Sequence, residues 1–247
     1  MGIVVAGVLA LIVATVLVNS ERRSDSRSAG AAAPGIVSEP RSLSLPRLRL
    51  PSRPEKLLVF GDSWTEGVAA APTTKGFAYQ VGRTLNVETV VAGVGGTGWV
   101  NPGPNGDGDY PRRMTRAASD PTVTLLLLQG GIYDVEKPAG VGDAVRQTIV
   151  NARSKFPNAQ IVVIGPIPIN PDSSGYARMS SNIGYEAGQA GAYFVSPVVQ
   201  KWINDQTFPG FLDSSNNHPT TAGHTYIANM IVGSLRQFAR DGQSVAQ

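Results

Sequence analysis

The chain has 247 residues, 42% of them hydrophobic, enough for one full-sized core and too apolar for a disordered chain. It contains no cysteine, which excludes disulfides, thiolate metal sites and a cysteine nucleophile. Its +3 formal charge is uneven: residues 19–54 carry +4 and residues 55–247 carry −1, so no basic groove for nucleic acid is expected on the folded part.

The first element is the uncharged, almost wholly apolar run of residues 2–18. As a helix rising about 1.5 Å per residue it spans roughly 25 Å, the short end of a bilayer core. It has no polar face, so it reads as a membrane segment (residues 1–18) and not as a buried core helix. A cleaved signal peptide wants a basic start and a small-residue cleavage site close behind the apolar run. No Lys or Arg precedes this run, and Ala29 to Ala33 stands well past it, so an uncleaved anchor fits better. Residues 19–54 are rich in Ser, Arg and Pro. Pro34, Pro40, Pro46, Pro51 and Pro54 block regular helix, which makes the segment a basic, semi-extended linker. Arg22, Arg23 and Arg27 follow the apolar run, and the positive-inside tendency would hold that side in the cytoplasm.

From residue 55 to residue 240 the pattern alternates. Strands are expected at Leu57–Phe60, Val87–Ala92, Thr122–Leu128, Gln160–Gly165 and Ala192–Val195. Helices are expected at Lys75–Leu85, Pro111–Ala118, Val141–Phe156, Tyr176–Gly191 and Thr221–Arg240, before a short tail at 241–247. Leu125–Leu128 is continuously apolar, as suits a central strand covered on both faces. The alternation predicts an α/β fold: three layers, α/β/α, around a five-stranded parallel sheet of flavodoxin-like plan. In such folds ligands sit outside the carboxyl ends of the strands.

Polar clusters follow those ends. Gly61-Asp62-Ser63 comes after the first strand, Gly93-Val94-Gly95-Gly96-Thr97-Gly98 after the second, and Gln129-Gly130-Gly131-Ile132-Tyr133-Asp134 after the third. His218 stands just before the last helix, which Thr220 or Thr221 would cap. A serine needs a base to take its proton, and the chain has only His218 and His224 to offer. His224, in the first turns of the helix, reads as structural. Glycines after the second strand could bring backbone N–H groups close to an oxyanion. The same loop lacks both the dinucleotide fingerprint and the P-loop pattern.

Together these blocks resemble the SGNH (GDSL) hydrolase family. Gly61-Asp62-Ser63 with Gly67, Ala92–Thr97, Gly130–Asp134 and His218-Pro219-Thr220-Thr221-Ala222-Gly223-His224 match its four blocks in order, over about residues 56–238. Val94–Gly103 is similar to exported actinobacterial members. The resemblance implies a serine esterase or acylhydrolase, with Ser63 as nucleophile, His218 as general base, and Ser63, Gly96 and Tyr133 around the oxyanion. Two positions depart from the family pattern. Tyr133 stands where an asparagine is usual, and Ser215 stands where an aspartate is usual. Asp213, a backbone carbonyl or Ser215 is then left to orient the imidazole. No metal or organic cofactor is implied. The resemblance implies carboxylic esters as substrates, acyl groups on envelope glycans or lipids, with the domain exported and held at the membrane by residues 2–18. An acyltransferase using the same site, or a catalytically silent glycan-binding domain, is the alternative.

Overall fold

In a computed structural model of the chain, residues 44–170, 174–214 and 217–244 are described. The expected anchor (1–18) and most of the linker (19–43) lie outside them. In chain order the elements are β1 (Ser44–Leu45), β2 (Lys56–Gly61), α1 (Ser63–Glu66), α2 (Phe77–Leu85), β3 (Glu88–Gly93) and α3 (Tyr110–Arg116). They continue with β4 (Val123–Gln129), α4 (Val141–Lys155), β5 (Gln160–Ile164), α5 (Ser174–Gln189), β6 (Tyr193–Val195), α6 (Thr221–Asp241) and β7 (Gln243–Ser244).

Five strands form one sheet in the order β3-β2-β4-β5-β6, every neighbouring pair parallel. The alternation of side chains sorts the apolar residues into two cores. Leu57, Val59, Leu125 and Leu127 meet Val81 of α2 and Ile227, Ile231 and Leu235 of α6 on one face. Leu58, Phe60, Leu126 and Leu128 meet Met114, Val145, Ile149 and Ile183 of α3, α4 and α5 on the other. The expected α/β/α sandwich is thus what forms. Leu125 to Leu128 are fully buried, because β4 has neighbours on both edges and helices on both faces.

The chain leaves β2 for β3 on one side, then crosses to β4 on the other. This reversal makes a switch point at the carboxyl ends of β2 and β4, where neighbouring loops diverge and leave a crevice. Register pairs Phe60 with Leu128 and Gly61 with Gly93. The Gly61, Gly93 and Gly130 loops therefore start from one edge of the sheet.

Packing against the domain reaches back to Ser44, earlier than the linker boundary read from sequence. Leu48 is buried in the first core, its N–H donating to the Phe238 carbonyl at 3.0 Å. The Tyr193 hydroxyl donates to the Pro46 carbonyl at 2.7 Å. β1 pairs antiparallel with β7 in what sequence read as a tail. Apolar residues at 45, 48 and 50 supply the reason: once the domain exists, they have a surface to bury against. Among the described residues no helix is long and apolar enough to cross a membrane.

Candidate active site

The site begins at the end of β2. Asp62 is extended and caps α1, its carboxylate accepting from the Trp64 N–H at 2.9 Å. That cap starts a helix at Ser63 and turns its side chain toward the sheet edge. Trp64 is buried in the first core and anchors the turn. Gly93, at the end of β3, allows the closest approach: a Cβ there would come within 2.1 Å of the Glu66 backbone nitrogen.

Ser63 Oγ lies 2.8 Å from His218 Nε2 and 3.2 Å from the Tyr133 hydroxyl. The Ser63–His218 contact joins groups 155 positions apart in the chain. His218 sits on a tight loop in which Leu212 bridges Pro219 and the Asp213 N–H donates to the His218 carbonyl at 2.7 Å. The backbones of Asp213 and His218 therefore face one another. The loop runs into α6, capped by Thr220, whose hydroxyl accepts from the Gly223 N–H at 3.0 Å. Ser215, the other side chain weighed for orienting the imidazole, lies outside the described residues.

The glycine loop after β3 reaches the same place. A Cβ placed on Gly95 would stand 3.7 Å from Ser63 Cβ. Gly96 has a φ of +75°, and a Cβ there would come within 2.6 Å of Pro104, so only glycine fits without strain. Among the described residues no turn or loop bond uses the N–H of Ser63 or of Gly96.

Three residues that sequence reasoning did not single out hold these loops. Gln129, the last residue of β4, donates from Nε2 to Asp62 at 3.2 Å and accepts from the Thr65 hydroxyl at 2.8 Å. Its signal was a polar side chain ending an otherwise apolar run that leads to the sheet edge. Asp134 accepts from the Trp99 N–H at 2.9 Å and the Val100 N–H at 3.0 Å, pinning the far end of the glycine loop next to Tyr133. Arg113 donates from a buried position to backbone and hydroxyl groups of two loops. Nothing in its short helix, with Arg112 and Arg116 beside it, marks it as the arginine that turns inward.

Burial governs the electrostatics. It pushes the Asp62 carboxyl up to about 7, against the Trp64 N–H and the Gln129 amide, which hold it down. It also raises Asp134, opposed by the Val100 and Trp99 N–H groups. His224 lies in the core, where Nδ1 accepts from the Phe77 N–H at 3.3 Å and Nε2 donates to the Val68 carbonyl at 3.0 Å. Burial lowers its pKa, so it stays neutral. Among the described residues no group of His, Asp and Glu could hold a metal ion.

A serine hydroxyl with an imidazole nitrogen in bonding range can attack an ester carbonyl. The family follows from comparison. A model of the GDSL-like lipase/acylhydrolase family matches residues 59–226. The chain belongs to this family. By that membership it is a serine ester hydrolase. A GDSL lipase of Mycobacterium tuberculosis is 30% identical over 195 residues, 74% of this chain and 83% of the relative. Among solved structures, a family two carbohydrate esterase from Cellvibrio japonicus aligns with a TM-score of 0.61 at 20% identity, covering 79% of this chain. A family two carbohydrate esterase from Clostridium thermocellum, in complex with cellohexaose, aligns at 0.55 and 18% over 74% of this chain. This chain spans 64% of the length of each esterase. Both likenesses concern the fold.

Proposed function

We propose that the protein hydrolyses small acyl esters of hydroxyl-rich envelope molecules, glycans or lipids, with Ser63 as nucleophile and His218 as general base. The carrying observation is the 2.8 Å contact between Ser63 Oγ and His218 Nε2. Ser63 Oγ attacks the ester carbonyl as its proton passes to Nε2. The carbonyl oxygen becomes an oxyanion held by the N–H groups of Ser63 and Gly96, with the Tyr133 hydroxyl as third donor. Collapse breaks the bond to the leaving alcohol, which takes the proton back from His218. Water then repeats the sequence on the acyl-enzyme and releases the acid. A second alcohol in place of water would make the same intermediate an acyl donor. Asp213, on the loop of His218, is assigned to accept from Nδ1–H and steady the ring.

The GDSL lipase relative supports acyl esters as substrates, and the carbohydrate esterase neighbours support a hydroxylated partner. Export behind an anchor at residues 2–18 is supported by that run's lack of any charge. The full chain should cleave a chromogenic acetate or butyrate ester, and Ser63→Ala should remove the activity. A phosphonate ester should label Ser63 alone. Turnover that survives Ser63→Ala would refute the nucleophile. No turnover and no labelling would favour a silent glycan-binding domain, a reading to which the phenol at Tyr133 lends itself.

A further inference from the structure

We propose that Arg113 is a positioning residue for the oxyanion hole, fixing the turn that carries Ser63 against the loop that carries Gly96. The proposal rests on the assignment of those two N–H groups made above.

Arg113 is turned inward by its helix. Tyr110 and Met114 of α3 are fully buried, and the Asp109 carboxylate caps the helix by accepting from the Arg112 N–H at 3.0 Å. The guanidinium lies 4.2 Å from the centre of the Phe60 ring and 5.4 Å from that of Tyr110. From there Nη1 donates to the Gly61 carbonyl at 2.8 Å and to the Thr97 hydroxyl at 2.7 Å. Nη2 donates to the Ala92 carbonyl at 2.7 Å. Gly61 is two residues before Ser63, Thr97 directly follows Gly96, and Ala92 is the next-to-last residue of β3. The Thr97 hydroxyl in turn donates to the Val94 carbonyl at 2.8 Å, closing the loop on itself. One rigid plane thus spans both pieces of backbone from which the hole is made.

The arrangement is costly to the fold. Among the described residues no carboxylate forms an ion pair with Arg113; carbonyl and hydroxyl oxygens and two aromatic faces meet the guanidinium directly, and the Asp62 and Asp107 carboxylates act on it only from beyond ion-pair distance. Burial lowers its pKa, the mark of a charge held out of water. An apolar side chain of similar length would fill the space without that penalty. It could not reach three acceptors at once. Lysine keeps the charge but lacks the planar fork that meets three acceptors in fixed directions. The guanidinium also leaves a positive charge behind the hole, where an oxyanion develops.

Arg113→Lys and Arg113→Met in the full chain separate charge from geometry. The hole acts only in the transition state, so the expected result is a fall in kcat with KM nearly unchanged. Misplacing it by about 1 Å costs on the order of 100-fold. We expect about that loss for Arg113→Met and at least about 10-fold for Arg113→Lys. Amide hydrogen exchange of residues 94–98 should accelerate in both variants at temperatures well below unfolding. Wild-type kcat in both variants overturns the proposal, and so does a loss carried wholly by KM. The exchange measurement needs no substrate. If the wild type proves to have no Ser63-dependent turnover, the assigned function falls on its own. Arg113 is then decided by exchange, and unchanged exchange at 94–98 overturns its role.

Discussion

Tyr133 occupies the place where relatives of this pattern carry an asparagine, and its hydroxyl stands 3.2 Å from Ser63 Oγ. When Ser63 donates to His218, the phenol is left to donate to Oγ, and it can follow the charge to the carbonyl oxygen during attack. Loss of one oxyanion donor costs about 10²–10³ in rate. Tyr133→Phe should therefore lower kcat by about 100-fold with little change in KM, measured on the chromogenic ester. An unaltered kcat would leave the hole to the two backbone donors. Asp62 lends itself to a stability measurement. Its carboxyl holds a proton to about pH 7 when folded, and to about 3.9 when unfolded. Between those values the folded state binds the extra proton, so this group's contribution favours folding at about pH 4 and declines as pH rises to 7. Asp62→Asn keeps the cap on Trp64 and removes the titration. Relative to the wild type, the variant should gain stability between pH 4 and 7, on the order of a few kcal/mol. Urea titrations across that range provide the comparison.

At the scale of elements, the hydrophobic periodicity announced every main strand and helix. Thr122–Leu128 was expected and Val123–Gln129 forms; Thr221–Arg240 was expected and Thr221–Asp241 forms. Such elements are legible because burial on one face or two imposes a period on the chain itself. The cap of α6 joins element to site, since Thr220 starts the helix and stands two residues after His218. Thr220→Ala should cost about 1 kcal/mol. For a chain of this length that lowers Tm by about 2–4 °C. Because its hydroxyl also donates to the Gly210 carbonyl at 2.8 Å, the loop of His218 should loosen, and kcat should fall at temperatures far below Tm. Unchanged kcat with lowered Tm would confine Thr220 to the helix.

For the whole molecule, the two cores and the segment wrapped over them set stability. Leu48 is 3% exposed and sits among residues of the first core, although it lies in a stretch read from sequence as linker. Leu48→Ala should cost about 2–5 kcal/mol, as for other buried leucines, where a true linker residue would cost almost nothing. Calorimetry of the variant decides between them. The acid side of the stability curve involves His224. Its pKa is lowered by burial, so the unfolded chain takes up a proton near pH 6.5 before the folded chain does. Its contribution is whole above about pH 6.5 and declines as pH falls, until the folded histidine also protonates. This slope runs opposite to that of Asp62. His224→Gln should flatten it, and an unchanged acid limb would mean that the ring is solvated.

Composition, periodicity and four short blocks determined the fold class, the edge of the sheet that carries chemistry and the pairing of Ser63 with His218 as candidates. These features are local, or follow from the rule that parallel strands send their loops to one edge. Sequence could not say which of three arginines on α3 turns inward, that Asp134 ties the glycine loop beside Tyr133, or that Leu48 belongs to the core. Each depends on partners between 16 and 190 positions away, brought near by the strand order β3-β2-β4-β5-β6. A chain records its own period, but which distant groups meet is decided only when the sheet has formed and its faces are covered.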